Sequence, residues 1–452
     1  MDKYIQIHHK LPSFCVTKEP KDYKSTSGRK VVIIEGKVTT EIPGKCPSCG
    51  ATLHKHQYHT ITLQHSSLFG RLCFVKVKYI RCKCSKCNTL HSQKIPFKAN
   101  NHRMTTYFEN QVRGYVAQNF TLNDVSKVLG IHPNTVKAID KDRLRAKLGD
   151  MKPRHYSKYI GVDEFLLHKG HRYATIVIDL TTGEILFCQK GKKKDQFKNF
   201  FKFVGNNWMN HVKAVAMDMN AQYDSALKEM YPDIDIVYDF FHVMKYYTDT
   251  VITDLRREEQ NKAEAQGNKA QYKLLKGSRW LLLSSRKRLT EKDTEAYENN
   301  NRLRQRYTLR GLSLPPGERI MRSGSSIKLK TLLAANHKLL AVYVMKEELH
   351  EIFSYDNKED AKAALKQWLS LAASSDIPQI RNFCLTINKR WEGILNHTVH
   401  HISTGKVEGT NNMIKTTRRK AYGFKDTEYF FMKITENSMR RKYCYKSHRN
   451  LF

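Results

Sequence analysis

The sequence is short of acid. Asp and Glu number 43 against 79 Lys and Arg, a formal net charge of +36 over 452 residues. A chain so unbalanced repels itself when compact unless a polyanion neutralises it. Nucleic acid is the ordinary answer, because phosphates neutralised by Lys and Arg release their counterions. The excess is spread over every region rather than held in a tail, which argues against a merely solubilising surface. Long apolar runs are missing too: nothing approaches the roughly 18 residues of a membrane helix, so no membrane partner is expected. Met1–Pro20 is mixed and polar and lacks the apolar centre of a secretory leader. Internal repeats and low-complexity tracts are absent. The length exceeds one ordinary domain, so two to four are expected, and a hydrophobic content of 40% is enough to build their cores.

Cysteine is scarce except in one place. Cys15, Cys73, Cys188, Cys384 and Cys444 are scattered, whereas Cys46, Cys49, Cys82, Cys84 and Cys87 crowd together. That distribution suggests a metal site in a reducing compartment rather than a disulfide framework. Cys46-Pro47-Ser48-Cys49-Gly50 reads as a tight turn whose amides point at sulfur. Cys84-Ser85-Lys86-Cys87-Asn88 repeats the pattern after a strand-like stretch, Leu72 to Ile80. Two such pairs supply four thiolates for a tetrahedral Zn²⁺. Cys82 competes with Cys84 for the third position, and His54, His56 and His59 lie near enough in sequence to compete as well.

Residues 105 to 145 read as helical. Within them Thr121 to Lys137 fits a helix-turn-helix, with Leu122, Val125, Val128 and Leu129 facing inward and Gly130 at a left-handed turn. Pro133 and Asn134 open a second helix. That helix would present His132, Asn134, Thr135 and Lys137 to a DNA groove, with Lys141, Arg143, Arg145 and Lys147 adding charge.

After the linker Lys152-Pro153-Arg154 the pattern changes. Strands are predicted at Tyr159 to Phe165, Tyr173 to Leu180, Ile185 to Gln189, Val212 to Met217 and Ile234 to Tyr238. Helices are predicted at Lys194 to Asn207 and Gln222 to Met230. Three meandering strands followed by alternating helix and strand is the order of an RNase H-like fold. From about 240 to 400 strand signals vanish and long helices are predicted, among them Asp254 to Leu283 and Leu332 to Phe353. A basic helix with Lys415, Arg418, Arg419 and Lys420 closes the pattern. The fold class is therefore multidomain α/β: a zinc ribbon over 1–100, a helix-turn-helix over 101–150, and an RNase H-like domain over 155–245 and 401–452, interrupted by an all-α insertion over 246–400.

Phosphoryl transfer on DNA uses two divalent ions about 3.5–4 Å apart, and hard Mg²⁺ demands carboxylates. Those acids must converge from separate elements. Asp163 lies in the first predicted strand and Asp218 ends the fourth. Glu408 follows a Gly-containing loop and opens a polar helix. Glu164 neighbours Asp163, but adjacent strand residues face opposite sides, so Asp163 is the expected ligand.

Several blocks together resemble the insertion-sequence transposases of the ISL type. They are Cys46-Pro47-Ser48-Cys49-Gly50, Tyr159 to Glu164, Ala216-Met217-Asp218-Met219 with Tyr223, Asp239-Phe240-Phe241-His242-Val243, Arg279-Trp280-Leu281-Leu282, Arg390-Trp391, and Val407 to Lys415 with Arg418 and Gly423-Phe424. Ser403-Thr404-Gly405 replaces the family's usual Ser-Asn-Gly. The resemblance implies a DDE strand-transfer domain with Asp163, Asp218 and Glu408 as the Mg²⁺ (or Mn²⁺) triad. It also implies that Asp239 and His242 form the Asp-x-x-His signature after the second Asp. Double-stranded DNA, as element terminal repeats and target, is the implied partner, with at least a homodimer for synapsis. The expected location is the bacterial cytoplasm, at the nucleoid. Two other readings stand beside this one: a domesticated zinc-finger regulator without catalysis, and an RNase H-like nuclease that cuts without joining.

Overall fold

The computed structural model describes residues 11–25, 28–68, 70–168, 170 and 172–444, with side chains through 439. The chain divides into two compact units. One comprises Met1–Asp150 and Lys415–Glu436, and the other Met151–Ile414 and Asn437–Phe452.

The first unit opens with a six-stranded sheet. Strands β1 (Phe14–Val16), β3 (Lys30–Val38), β5 (Arg71–Cys84) and β4 (Leu53–Leu68) lie in that order, with β2 (Lys21–Lys24) on β3 and β6 (Leu90–Ser92) on β5. Alternation along β3 and β5 buries Val32, Ile34, Cys73, Val75 and Val77 on one face, where Phe14 and Phe97 complete a small core. Three helices follow: α1 (Thr106–Ala117), α2 (Leu122–Leu129) and α3 (Pro133–Leu148). The helix-turn-helix signals act as local chemistry requires. Thr121 and Asp124 form a reciprocal capping box, Gly130 ends α2 at φ +67°, and Pro133 opens α3. Val125, Leu129, Ile131 and Val136 pack on Phe108 and Val112 of α1. Val128, predicted to face inward, is 56% exposed.

The second unit contains a five-stranded sheet in the order β11-β10-β7-β8-β9. Strands β7 (Tyr159–His168), β8 (Arg172–Asp179) and β9 (Ile185–Lys190) form an antiparallel meander. β10 (Ala214–Met217) runs parallel to β7, and β11 (Asp235–Tyr238) parallel to β10. Helices α4 (Lys194–Val204), α5 (Asn206–Met209) and α6 (Ala221–Met230) connect them. From α7 (Phe240–Tyr247) onward the described residues up to His400 form only helices and turns: a π-helical turn at 248–253, α8 (Asp254–Ala265), α9 (Lys269–Leu275), α10 (Arg279–Leu283), α11 (Arg286–Arg306), α12 (Ser325–Ala334), α13 (His337–Ile352), α14 (Lys358–Ser374), α15 (Pro378–Asn388), α16 (Trp391–Leu395) and α17 (His397–His400). One continuous core runs from Ile160 to Leu395 through both sheet and helices.

Two helices expected to be continuous are broken. Gly267 and Gly277, at φ +65° and +77°, separate α8, α9 and α10. Asn336 caps α13 by accepting from the Leu339 amide, which ends α12 before it. The chain then enters α18 (Gly405–Lys420) and α19 (Thr427–Cys444). No helix among the described residues is long and apolar enough to cross a membrane.

Candidate active site and metal centre

Asp163 and Asp218 lie level with one another where β10 ends alongside the middle of β7. Ala216 pairs with Gly161, so Asp218, the residue just past β10, falls beside Asp163 of the neighbouring parallel strand. Gly161 is needed there. A Cβ at that position would stand 2.6 Å from Val407 Cγ2 and 2.9 Å from Leu180 Cδ2, so the bare glycine lets the first turn of α18 seat on β7. Asn411 Nδ2 then donates to Asp163 Oδ2 at 2.6 Å. Glu408 lies three residues earlier on the same face of α18 and is exposed.

A second anchor comes from Asp239. One of its oxygens accepts from the Phe241 amide (2.8 Å) and caps α7, and the other accepts from the Thr404 amide (2.8 Å) just before α18. His242 Nδ1 stands 2.8 Å from Asp218 Oδ1 and 3.6 Å from Asp239 Oδ1. Glu164 points the other way along β7, as its place in the pleat requires. There it accepts from Asn220 Nδ2 at 3.0 Å, on the turn that carries Asp218.

The electrostatics follow from this crowding. Burial lifts the Asp163 carboxyl to about 6; the Glu164 amide opposes the rise and the Asp218 charge adds to it. Burial likewise raises Glu164. Against the pull of its own burial, the Asp218 and Asp239 carboxylates raise His242 to about 10. Asp239 sits well below the usual carboxylate range despite burial, because His242 and Thr404 donate to it.

The donor set suits hard divalent ions. Burial raises the Asp163 carboxyl even with His242 nearby to favour its charged form, and Asn411 Oδ1 beside it is buried with no hydrogen-bond partner. The three carboxylates do not gather within 4.8 Å of one another.

The cysteines differ in this respect. Among the described residues, Cys46, Cys49, Cys84 and Cys87 alone bring three or more His, Cys, Asp or Glu donor atoms within 4.8 Å of one another. Sulfur separations of 3.4 Å (Cys49–Cys84) and 3.6 Å (Cys46–Cys87 and Cys49–Cys87) match the roughly 3.8 Å edge of a tetrahedron with 2.3 Å Zn–S bonds. The turn selects Cys84 over Cys82, since the Lys86 and Cys87 amides both point at Cys84 Sγ (3.4 and 3.5 Å). Cys82 is buried two residues back, paired across the sheet with His91 and Lys55. His54, His56 and His59 lie outside the cluster. Thr89 and His91 were not anticipated: Thr89 Oγ1 is 2.9 Å from Cys87 Sγ, and His91 Nε2 is 3.4 Å from Cys46 Sγ. Thr89 holds the Cys46 thiol down to about 5. Although the Ala51 amide favours its thiolate, Cys49 is pushed up to about 12 by Cys84 and burial. Four thiols this close cannot all ionise without a cation.

In the first unit, His132 caps α3 by accepting from the Asn134 amide (3.2 Å), and Asn134 is exposed while Thr135 is half-buried. Lys137 pairs with Asp426 at 2.8 Å. Further along α3, Lys141 meets Asp426 and Glu428, Arg145 meets Glu428, and Lys147 meets Glu436. Arg143 forks onto the fully buried Glu436 (2.7 and 2.8 Å) and also holds the buried Asp140. Residues 426–436 thus cover one flank of α3 with acid, a role that helix periodicity does not disclose. Lys415 and Arg419 are exposed on the same unit.

Residues 160–434 match a DDE transposase family of the ISL3 type, described as a transposase. The chain is 30% identical over 392 residues to the transposase for insertion sequence element IS1001 of Bordetella parapertussis, covering 86% of this chain and 87% of that one. It is 25% identical over 288 residues to the transposase for insertion sequence element IS1557 of Mycobacterium tuberculosis, covering 60% and 57% of the two chains. With the family matched over more than half its length, and the acids of β7, β10 and α18 arranged as described, this chain belongs to the ISL3-type DDE transposases.

Proposed function

We propose that the protein binds the ends of its own insertion sequence and catalyses DNA cleavage and strand transfer at Asp163, Asp218 and Glu408. The observation that carries the reading is the bond from Asn411 to Asp163, which sets Glu408 one turn away on the same helical face. The sheet and its two flanking segments are read as an RNase H-like domain, with residues 246–400 as its helical insertion. Asp163, Asp218 and Glu408 would hold Mg²⁺ or Mn²⁺. Such ions stabilise charge on the attacking and leaving oxygens. His242 fixes Asp218 from one side, Asp239 fixes His242 and the start of α18, and Asn411 keeps one Asp163 oxygen aimed.

Cys46, Cys49, Cys84 and Cys87 would hold a structural Zn²⁺ in a ribbon. His132, Asn134, Thr135 and Lys137, with Lys415, Arg418 and Arg419, would contact the terminal repeats of double-stranded DNA. For Lys137 this means exchanging Asp426 for a phosphate. Synapsis implies a dimer or higher, acting at the nucleoid in the cytoplasm.

The test is cleavage and joining, with Mg²⁺, on a duplex carrying the terminal sequence that flanks the gene. Wild type should cut and join, and Asp163→Asn, Asp218→Asn and Glu408→Gln should bind but do neither. Binding by wild type without chemistry would favour a domesticated regulator, and cutting without joining a nuclease.

A further inference from the structure

Along α6, the helix that follows the Asp218 turn, the corner between α15 and α16 borders an open trough of about 500 Å³. Its lining includes Lys228, Lys389 and Arg390, together with Asp224, Ser225 and Glu229. The acids there are already engaged. Glu229 is paired with Lys194 and Lys198. Asp224 accepts from the Tyr238 hydroxyl at 2.7 Å and lies 3.6 Å from Arg390 Nε. Lys228 and Lys389 are exposed and have no ion-pair partner among the described residues. The trough therefore offers two lysines without ion-pair partners among the described residues, beside Arg390, which is held by Asp224.

Its walls are fixed. Gly393 packs so closely on Tyr238 that a Cβ would come within 2.4 Å of the ring, which seats α16 against β11. Asn396 Nδ2 donates to the Ile236 carbonyl at 3.1 Å and holds the next turn to the same strand. At the other end, Ala221 lines the trough, one residue from the Asn220 that bonds Glu164 beside Asp163. A polyanion laid along α6 would reach the carboxylates at its leading end.

The geometry points to a binding site for the sugar-phosphate backbone of a DNA strand, in which Lys228, Lys389 and Arg390 hold the strand on its way into the carboxylate site. This rests on the reading of the protein as a DNA strand-transfer enzyme. It gives the helical insertion a direct part in the DNA path, through the corner that carries Lys389 and Arg390.

The experiment measures how binding to the element-end duplex falls with salt, for wild type, the double variant Lys228→Ala with Lys389→Ala, and the double Lys→Arg variant. Both lysines are exposed, so folding is not at stake. Each phosphate that is no longer neutralised lowers the slope of log K against log salt by about 0.9, so the Ala variant should fall by about 1.8 and the Arg variant should not. Phosphate-ethylation interference should show positions that weaken wild type and no longer matter in the Ala variant. An unchanged slope, or a lower slope with an unchanged ethylation pattern, overturns the site. A flat slope in wild type instead removes the DNA-binding reading itself, so the two failures are told apart.

Discussion

At the sulfur cluster, four donor atoms from two tight turns stand within 4.8 Å of one another, whereas the three carboxylates come from the middle of one strand, the end of another and a helix, and do not. The difference lies in how each set handles its own repulsion. Hydrogen bonds let the cluster hold a thiolate at Cys46 beside a protonated thiol at Cys49, and its turns are shaped by local amides, so the cage can be assembled in advance. Asp163 and Asp218 must sit close while ionised. Each acid has its own partner, His242 on Asp218 and the Asn411 amide on Asp163. One site is a closed cage set by loop geometry. The other is an open set of acids, positioned by elements distant in sequence.

Removing zinc should give the largest effect. Binding of a structural Zn²⁺ is worth about 10–16 kcal/mol, so Cys49→Ser or Cys84→Ser should lose the metal, lower the melting temperature and abolish end binding. Full zinc content by elemental analysis in both variants would erase the distinction between cage and open site. Asp218→Asn should instead lower strand transfer by about 10⁴-fold or more while zinc content and melting temperature hold; retained transfer would show that the acids were misassigned.

Next comes the acid-covered flank of α3. Arg143→Ala leaves the buried Glu436 and Asp140 to Lys433 and the more exposed Lys147, and should destabilise the cysteine-bearing unit by about 3–5 kcal/mol in urea unfolding. A loss under about 1 kcal/mol would mean that the two lysines satisfy both acids without the guanidinium. Gly161→Ala should cost about 1–3 kcal/mol by overpacking against Val407. It should also lower strand transfer more than stability by lifting α18, and unchanged transfer would show that Glu408 does not depend on that seat.

The smallest effect is on pH. The Asp163 carboxyl titrates near 6, above its ordinary 3.8, so without metal its contribution to stability is present below about 3.8 and lost as pH rises through 6. A bound divalent ion must displace that proton. The Mg²⁺ concentration for half-maximal transfer should therefore rise about tenfold for each pH unit below 6. A flat requirement between pH 5 and 7 would place Asp163 outside the metal site.

What could be read in the sequence follows the range of the forces involved. The helix-turn-helix was legible because Thr121, Asp124, Gly130 and Pro133 act within a few residues. The five strands of the second sheet were legible because burial alternates or runs unbroken along each. The breaks at Gly267, Gly277 and Asn336 were missed because apolar spacing continues across them. Val128 has the right spacing for the inner face of α2 yet remains exposed, since an eight-residue helix buries only Val125 and Leu129. At the site, Asp163, Asp218 and Glu408 came from motif and fold order. The bonds that aim them join residues 163 and 411, and 239 and 404, and no local pattern links such pairs. The acids on α19 that cover α3 were hidden for the same reason.

Asp239 has one more consequence. Its two oxygens tie the first residues of the helical stretch to the last, Phe241 to Thr404, so the excursion between them begins and ends at a single side chain. Closing a chain segment grows harder only slowly with length, by about 0.6 kcal/mol per doubling. Lineages can therefore lengthen, trim or rebuild this stretch while the pocket at its neck keeps its shape, and size variation among related enzymes should concentrate there.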